Sequence, residues 1–119
     1  MMGKFVSNVA ELLNVVALKS SVAISQTDVE IFEYTAPQAL IVVEVQVYCT
    51  ATAATASVDV KEAGTTVLSA AATPAANTVV KPTITDAAIA SGAAVTVHVT
   101  TDGTGTITDL SVTLRLRVP

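Results

Sequence analysis

The sequence has few charged and aromatic residues for its length. Only 13% of its 119 residues are charged, and its four aromatic residues include no tryptophan. So few aromatics cannot form the stacking platforms with which proteins bind sugars or single-stranded nucleic acids. Six basic and ten acidic residues give a net charge of −4, whereas phosphate binding needs clustered lysine and arginine. We therefore expect no nucleic-acid partner.

Histidine and cysteine occur once each, as His98 and Cys49. One cysteine cannot form an internal disulfide, and one histidine with one cysteine cannot build a zinc site within one chain. His98 is the only side chain with an ordinary pKa near neutrality, but the sequence supplies no partner that would orient it as a general base. We assign no catalytic, metal-binding or cofactor-binding residue, and we predict that the protein is not an enzyme.

A long hydrophobic run is also missing. The longest charge-free stretch, residues 63–80, is interrupted by Thr, Ser, Asn and Pro74, and it lacks the ~20 predominantly apolar residues of a membrane span. Glu11 interrupts the N-terminal apolar segment, and no convincing cleavage site follows it. The sequence therefore favours neither membrane association nor a secretory signal.

Small and β-branched residues dominate the composition. The chain contains 20 Val, 20 Ala and 18 Thr, a mixture that favours strands over helices. The length allows one compact domain. From residue 20 onward apolar and polar residues alternate between turn signals, which is typical of short antiparallel strands.

The last strand shows the alternation most clearly. In residues 109–118 the leucines and valines fall on one face, while Arg115 and Arg117 fall on the other. The segment 102–105, Asp-Gly-Thr-Gly, predicts a hairpin turn before this strand. The eight candidate strands are 20–25, 29–35, 41–49, 56–61, 66–71, 78–85, 94–101 and 109–118. We predict an all-β protein, with residues 20–119 forming one antiparallel, jelly-roll-like β-sandwich.

Residues 1–19 do not follow this rhythm. Their apolar side chains recur at helical spacing and predict a short amphipathic helix or a docked arm. The residues concerned are Phe5, Val9, Leu12, Leu13 and Val16. An apolar segment outside a small sandwich needs a covering surface, so we expect these residues to bind a partner.

From Pro37 to Pro119 the order of strands and turns resembles small jelly-roll structural proteins of tailed bacteriophages. The resemblance is carried by residues 41–49, 57–68, 89–99 and 110–114. The chain departs from that family at Ala63-Gly64, where the family usually has Asn-Gly. The resemblance is greatest to head decoration, or cement, proteins.

This resemblance implies a virion protein on the outer surface of the capsid that stabilises the head without catalysis. Such proteins commonly form homotrimers that bridge major capsid proteins. The residues 2–19 are then the first candidate for the capsid contact, and His98, Arg115 and Arg117 are candidates for subunit contacts. Two alternatives stay open, namely a phage fibre or receptor-binding module and a bacterial immunoglobulin-like adhesion domain.

Overall fold

The described residues form eight antiparallel strands in two sheets, which confirms the predicted all-β sandwich. The computed structural model describes residues 12–53 and 55–119. The strands are β1 (Leu12–Val22), β2 (Val29–Thr35), β3 (Leu40–Tyr48), β4 (Ser57–Glu62), β5 (Thr65–Thr66), β6 (Ala88–Ile89), β7 (Ala94–Thr100) and β8 (Ile107–Arg117).

The strand order identifies the sandwich as a jelly roll. One sheet has the order β1-β8-β3-β6 and the other the order β2-β7-β4-β5. The pairs β1 with β8, β2 with β7, β3 with β6 and β4 with β5 form when a long antiparallel ribbon folds over on itself. Pairing of β3 with β8 and of β4 with β7 then rolls that ribbon into two sheets. Immunoglobulin sandwiches have a different strand order.

The core lies between the inner faces of the two sheets. Strands β8 and β7 alternate as the sequence predicts, with Leu110, Val112, Leu114 and Leu116 buried on β8. Valines of β3, β4 and β7 meet them from both sheets, namely Val45, Val47, Val58, Val60, Val95, Val97 and Val99. Cys49 is completely buried beside them, and burial raises the pKa of its thiol. A protonated, inaccessible thiol behaves as a small apolar side chain.

The sequence predicts a short amphipathic helix or a docked arm over residues 1–19, but the described part of this segment, residues 12–19, belongs to the strand β1 instead of a helix. Leu13, Val15 and Ala17 lie opposite Leu116, Leu114 and Val112 of β8. The positions 12, 13 and 16 fit a helical period, but 13, 15 and 17 also alternate with period two. Pairing with β8 selects the second pattern, because it buries Ala17 and satisfies the backbone on one side of β1. The predicted strand 20–25 is correspondingly displaced toward the N-terminus.

Two further predicted strands, 66–71 and 78–85, are wrong. Strand β5 ends at Thr66, and the connection to β6 is held by single bridges such as Val47 to Val80 and Leu68 to Ile84. Pro74 and Pro82 lie in this connection and lack the N–H group that a continuous ladder requires. The connection therefore follows the sandwich without adding a long strand.

One residue of β3, Val43, faces the opposite way from the direction that the sequence alternation predicts. The sequence alternation places Val43 on the inner face, but its side chain is 43% exposed. A bulge between Val42 and Glu44 shifts the register against β8, so Val42 takes the buried position.

The hairpin lies at a different turn from the predicted one. The loop at residues 102–105 leads from β7 in one sheet to β8 in the other, so these two strands do not pair. The tight hairpin joins β4 to β5 through Ala63 and Gly64, with Glu62 opposite Thr65. Both turn residues have positive φ, 49° and 86°, which defines a type I′ turn.

Hydrogen bonds to the Asp102 carboxylate stabilise the loop at residues 102–105. Asp102 accepts hydrogen bonds from the Thr55 hydroxyl, from the hydroxyl and backbone N–H of Thr104, and from the N–H of Gly105. These bonds hold the pKa of Asp102 well below its usual range. A Cβ at Gly105 would lie 2.9 Å from the Cβ of Ala53, so this loop and the loop at residues 49–56 approach as closely as glycine allows.

The positive φ of Ala63 in the hairpin turn predicts that one substitution will stabilise the protein. Ala63→Asn should raise the free energy of unfolding by up to about 1 kcal/mol, because asparagine tolerates the left-handed conformation better than alanine. The control is Ala70→Asn, since Ala70 is exposed and lies outside the positive-φ positions. Urea denaturation of the three proteins measures the difference. An equal gain in both variants would show that the turn geometry is not responsible.

The Asp102 loop predicts a pH-dependent stability. Because its folded-state pKa is lowered, the Asp102 carboxylate stabilises the fold above about pH 4, and this contribution is lost as the pH falls toward the folded-state pKa. Asp102→Asn should therefore lower the melting temperature at pH 7, and the difference from the unmodified protein should shrink below pH 4. Asp86→Asn removes the same charge at another exposed site and should leave the melting temperature nearly unchanged. A constant difference for Asp102→Asn at every pH would contradict the proposed role of the charged carboxylate.

Candidate functional site

Four of the eight large apolar residues that are exposed among the described residues lie on β1, including the two most exposed, Leu18 and Leu12. Leu12, Val16 and Leu18 are 55%, 45% and 76% exposed. They lie opposite Arg117, Thr113 and Ser111 of β8, whose side chains occupy the outer face of the sheet. We call Leu12, Val16 and Leu18 the β1 stripe. Such a row at a sheet margin indicates an interaction surface.

Basic side chains border the β1 stripe. Arg115 and Arg117 occupy the outer face of β8, the neighbouring strand. Arg115 lies 3.5 Å from the Glu44 carboxylate, and Lys81 lies 3.3 Å from the same carboxylate. Arg117 donates to the carbonyl oxygen of Val118 and forms no ion pair with the residues that the structure describes. This face is therefore apolar at the edge and basic next to it.

Glu44 is held in place by several donors. Gln46 donates to its carboxylate at 2.6 Å, and this bond, followed by those from Lys81 and Arg115, lowers the pKa of Glu44. The carboxylate is consequently ionised at neutral pH and occupies Arg115. Arg117 is left as the guanidinium with the most freedom to reach a partner.

His98 lies on the outer face of the other sheet, away from the β1 stripe. Its Nε2 is 2.8 Å from the Thr96 hydroxyl, and its Nδ1 is 3.2 Å from the carbonyl oxygen of Asp28. The Asp28 carboxylate binds Lys61 at 2.8 Å, which lowers the pKa of Asp28 and raises the pKa of Lys61. This network ties together β4, β7 and the residue just before β2.

The surroundings of His98 favour a structural role over a catalytic one. Only 15% of its side chain is exposed, and both ring nitrogens have partners. Glu30 and Asp59 lie opposite it on the neighbouring strands. A substrate would have to displace one of these contacts to reach the ring.

A cleft of about 300 Å³ opens where the edges of the two sheets meet. Lys19 and Ser21 of β1 form one side and Val29 and Ile31 of β2 the other, and Val99 also lines the cleft. The cleft lies at the C-terminal end of β1, and none of the three residues of the β1 stripe lines it.

The structure thus groups some of the predicted contact residues and separates others. Leu12 and Val16 share the outer face of one sheet with Arg115 and Arg117, and Leu13 lies on the inner face of β1, 42% exposed. His98 belongs to the opposite face of the sandwich. Phe5 and Val9 lie outside the described residues.

Sequence reasoning missed Leu18, the most exposed member of the β1 stripe. The helical spacing that selected Leu12 and Val16 does not include position 18. The period-two series 12, 14, 16 and 18 does include it, and this series becomes recognisable once β1 is known to be a strand.

Residues 12–53 and 55–119 contain no group of three or more His, Cys, Asp or Glu side chains that could hold a metal ion. Over the same residues no helix is long and apolar enough to cross a membrane. Comparison with known proteins found no family model, characterised protein or solved structure that matches the chain. The resemblance to phage decoration proteins therefore stays a prediction.

Leu18 is exposed and Leu114 is buried, so substitutions at these two leucines should change the stability by different amounts. Leu18→Thr should change the free energy of unfolding of the single chain by less than about 0.5 kcal/mol, because Leu18 packs little against the fold. Leu114→Ala should lower it by about 2–5 kcal/mol, because Leu114 fills the core. Urea denaturation at low protein concentration measures both. A large loss for Leu18→Thr would show that this side chain is packed within the chain.

Proposed function

We propose that the protein is a non-enzymatic virion protein that decorates the outer surface of a bacteriophage capsid and stabilises it by bridging major capsid proteins. The observation that carries the proposal is the β1 stripe, three exposed apolar side chains on the outer face of one strand of a small jelly roll, with the exposed Asn14 between the first two. The bacteriophage assignment itself derives from the resemblance of the strand and turn order in the sequence.

The β1 stripe suits a flat docking surface. Its three side chains project from one face of one strand, so they can lie against a partner without a rearrangement of the jelly roll. The neighbouring Arg117 adds a charged group at the border of the apolar patch, which favours a partner with carboxylates around an apolar centre. We propose that this partner is the major capsid protein.

A single contact made by three side chains gives only a modest affinity, so stable binding to the capsid requires several contacts at once. An oligomer would supply several copies of the β1 stripe on one particle, and the resulting avidity would exceed the affinity of a single copy. The resemblance implies a homotrimer for this purpose. Bridging of adjacent capsid subunits would then resist the separation of those subunits on heating.

Co-sedimentation with capsids that lack this protein tests the proposal. The purified protein should sediment with the particles and raise their resistance to heat. Leu18→Asp should reduce binding at least tenfold, since a carboxylate would have to be desolvated at the centre of the contact. Val79→Asp is the matched control, because Val79 is an exposed apolar residue, at 49%, outside β1. It should bind like the unmodified protein.

The outcomes distinguish a wrong decoration role from a wrong contact surface. A protein that never sediments with particles would contradict the decoration role, and inhibition of phage adsorption by the free protein would support the receptor-binding alternative. Equal binding of both aspartate variants would reject the β1 stripe as the contact. A variant that lacks residues 2–10 keeps all of β1 and shows whether the N-terminal residues contribute.

A further inference from the structure

Asp102 and Gly103 form the only Asp-Gly pair in the sequence. In such a pair the glycine nitrogen can attack the carboxyl carbon of the aspartate, because glycine has no side chain to hinder the approach. The nitrogen loses a proton and the carboxylic acid loses hydroxide, so one water is released and a succinimide ring forms. Water then opens the ring at either carbonyl group, which gives aspartate or isoaspartate. The local sequence therefore allows a modification that needs no reactant besides water.

The folded structure disfavours the neutral acid from which this ring closes. Oδ1 of Asp102 accepts hydrogen bonds from the N–H and hydroxyl groups of Thr104, both at 2.8 Å, and from the N–H of Gly105 at 3.1 Å. Oδ2 accepts a hydrogen bond from the Thr55 hydroxyl. Such bonds stabilise the ionised carboxylate, from which no hydroxide can leave. They also fix the orientation of the carboxyl group, which restricts its rotation toward the Gly103 nitrogen.

Hydrogen bonds also hold the backbone around the pair. The carbonyl oxygen of Asp102 accepts a hydrogen bond from the N–H of Ser25 at 2.7 Å, and the N–H of Thr101 donates to the carbonyl oxygen of Gln26 at 2.8 Å. Ser25 and Gln26 belong to the connection between β1 and β2. Ring closure changes the main-chain conformation at Asp102, so these contacts oppose it.

We propose that Asp102–Gly103 is a latent isomerisation site, and that its protection in the folded protein depends on the Thr55 hydroxyl. Thr104 and Gly105 are near neighbours of Asp102 in the chain and move with its loop. Thr55 is 47 residues away in sequence, in the connection between β3 and β4, so its bond exists only while the two loops stay together. Local opening of loops breaks such contacts without unfolding the core. The inference does not depend on the proposed function.

Isomerisation would disturb the connection between the two sheets. In isoaspartate the main chain runs through the side-chain methylene carbon, which lengthens the chain and moves the carboxylate away from Thr55 and Thr104. The loop joins β7 of one sheet to β8 of the other. Its Gly105 lies so close to the neighbouring loop that a Cβ there would be 2.9 Å from the Cβ of Ala53. We therefore expect the isomerised protein to have a lower melting temperature.

Peptide mapping after incubation in mildly acidic buffer tests the site, because an isoaspartate peptide has an unchanged mass and a different retention time. The unmodified protein should form isoaspartate at position 102 at least roughly tenfold more slowly when folded than in urea, where the carboxyl group regains its ordinary pKa. Gly103→Ala should slow the reaction in urea, since a side chain hinders the attacking nitrogen. In the folded protein this methyl group would lie 3.7 Å from Oγ of Ser25, an ordinary contact.

Variants at Thr55 test the protecting contact. Thr55→Val has a similar volume without the hydroxyl, and it should raise the rate in the folded protein at least roughly threefold. Thr55→Ser keeps the hydroxyl and should react like the unmodified protein. Thr106→Val is the matched control, because Thr106 is exposed and is not among the residues that donate to Asp102. In urea these variants should all react at the rate of the unmodified protein, and circular dichroism confirms that each is folded without urea.

Several results would overturn the inference. Equal rates in the folded protein and in urea would show that the fold does not protect the pair. Equal rates for folded Thr55→Val and Thr106→Val would reject Thr55 as the protecting residue. Isoaspartate at other aspartates but not at position 102 in urea would reject the site itself. Thr55→Ala provides the same comparison if Thr55→Val does not fold.

Discussion

The position of β8 between β1 and β3 is the constraint on which the rest of the structure depends. Its leucines at 110, 114 and 116 are buried, and both of its backbone edges are paired. The C-terminal strand therefore lies beside the first described strand. With the pairs β2–β7, β3–β6 and β4–β5, this pair builds two sheets that close over one core.

The same arrangement decides which surface is left uncovered. Because β8 pairs with β1 on one side and with β3 on the other, β1 lies at the margin of its sheet in the part of the chain that the structure describes. The inner face of β1 is partly covered, while Leu12, Val16 and Leu18 project outward beside the arginines of β8. The fold thus places an apolar row and a basic row next to each other, and the proposed capsid contact uses this strand.

The polar surfaces of the two sheets have different roles. Around His98, Asp28 binds Lys61 and both ring nitrogens have partners. These contacts connect three segments of the chain. Around β1, Arg117 forms no ion pair with the described residues, and Leu12, Val16 and Leu18 are exposed. The second face therefore carries the proposal for binding.

Much of the architecture was predictable from composition and alternation. The Val, Ala and Thr content and the period-two patterns of residues 94–118 determine an all-β sandwich, and the faces of β7 and β8 follow directly. The expectation that the protein does not bind nucleic acid rests on the scarcity of aromatic and basic residues, and it stays a prediction. Local turn signals were less informative, because the loop at residues 102–105 joins strands of different sheets.

Tertiary structure alone decided the identity of β1, the interruption of the segment between β5 and β6, and the bulge at Val43. Leu12, Leu13 and Val16 fit a helical period, whereas positions 13, 15 and 17 fit a strand period, so only the pairing with β8, about 100 residues away in sequence, resolves the choice. Leu18 became a candidate contact residue for that reason. A local pattern specifies which side chains are able to share a face, but the distant strand that supplies the hydrogen bonds determines which face forms and whether it is covered.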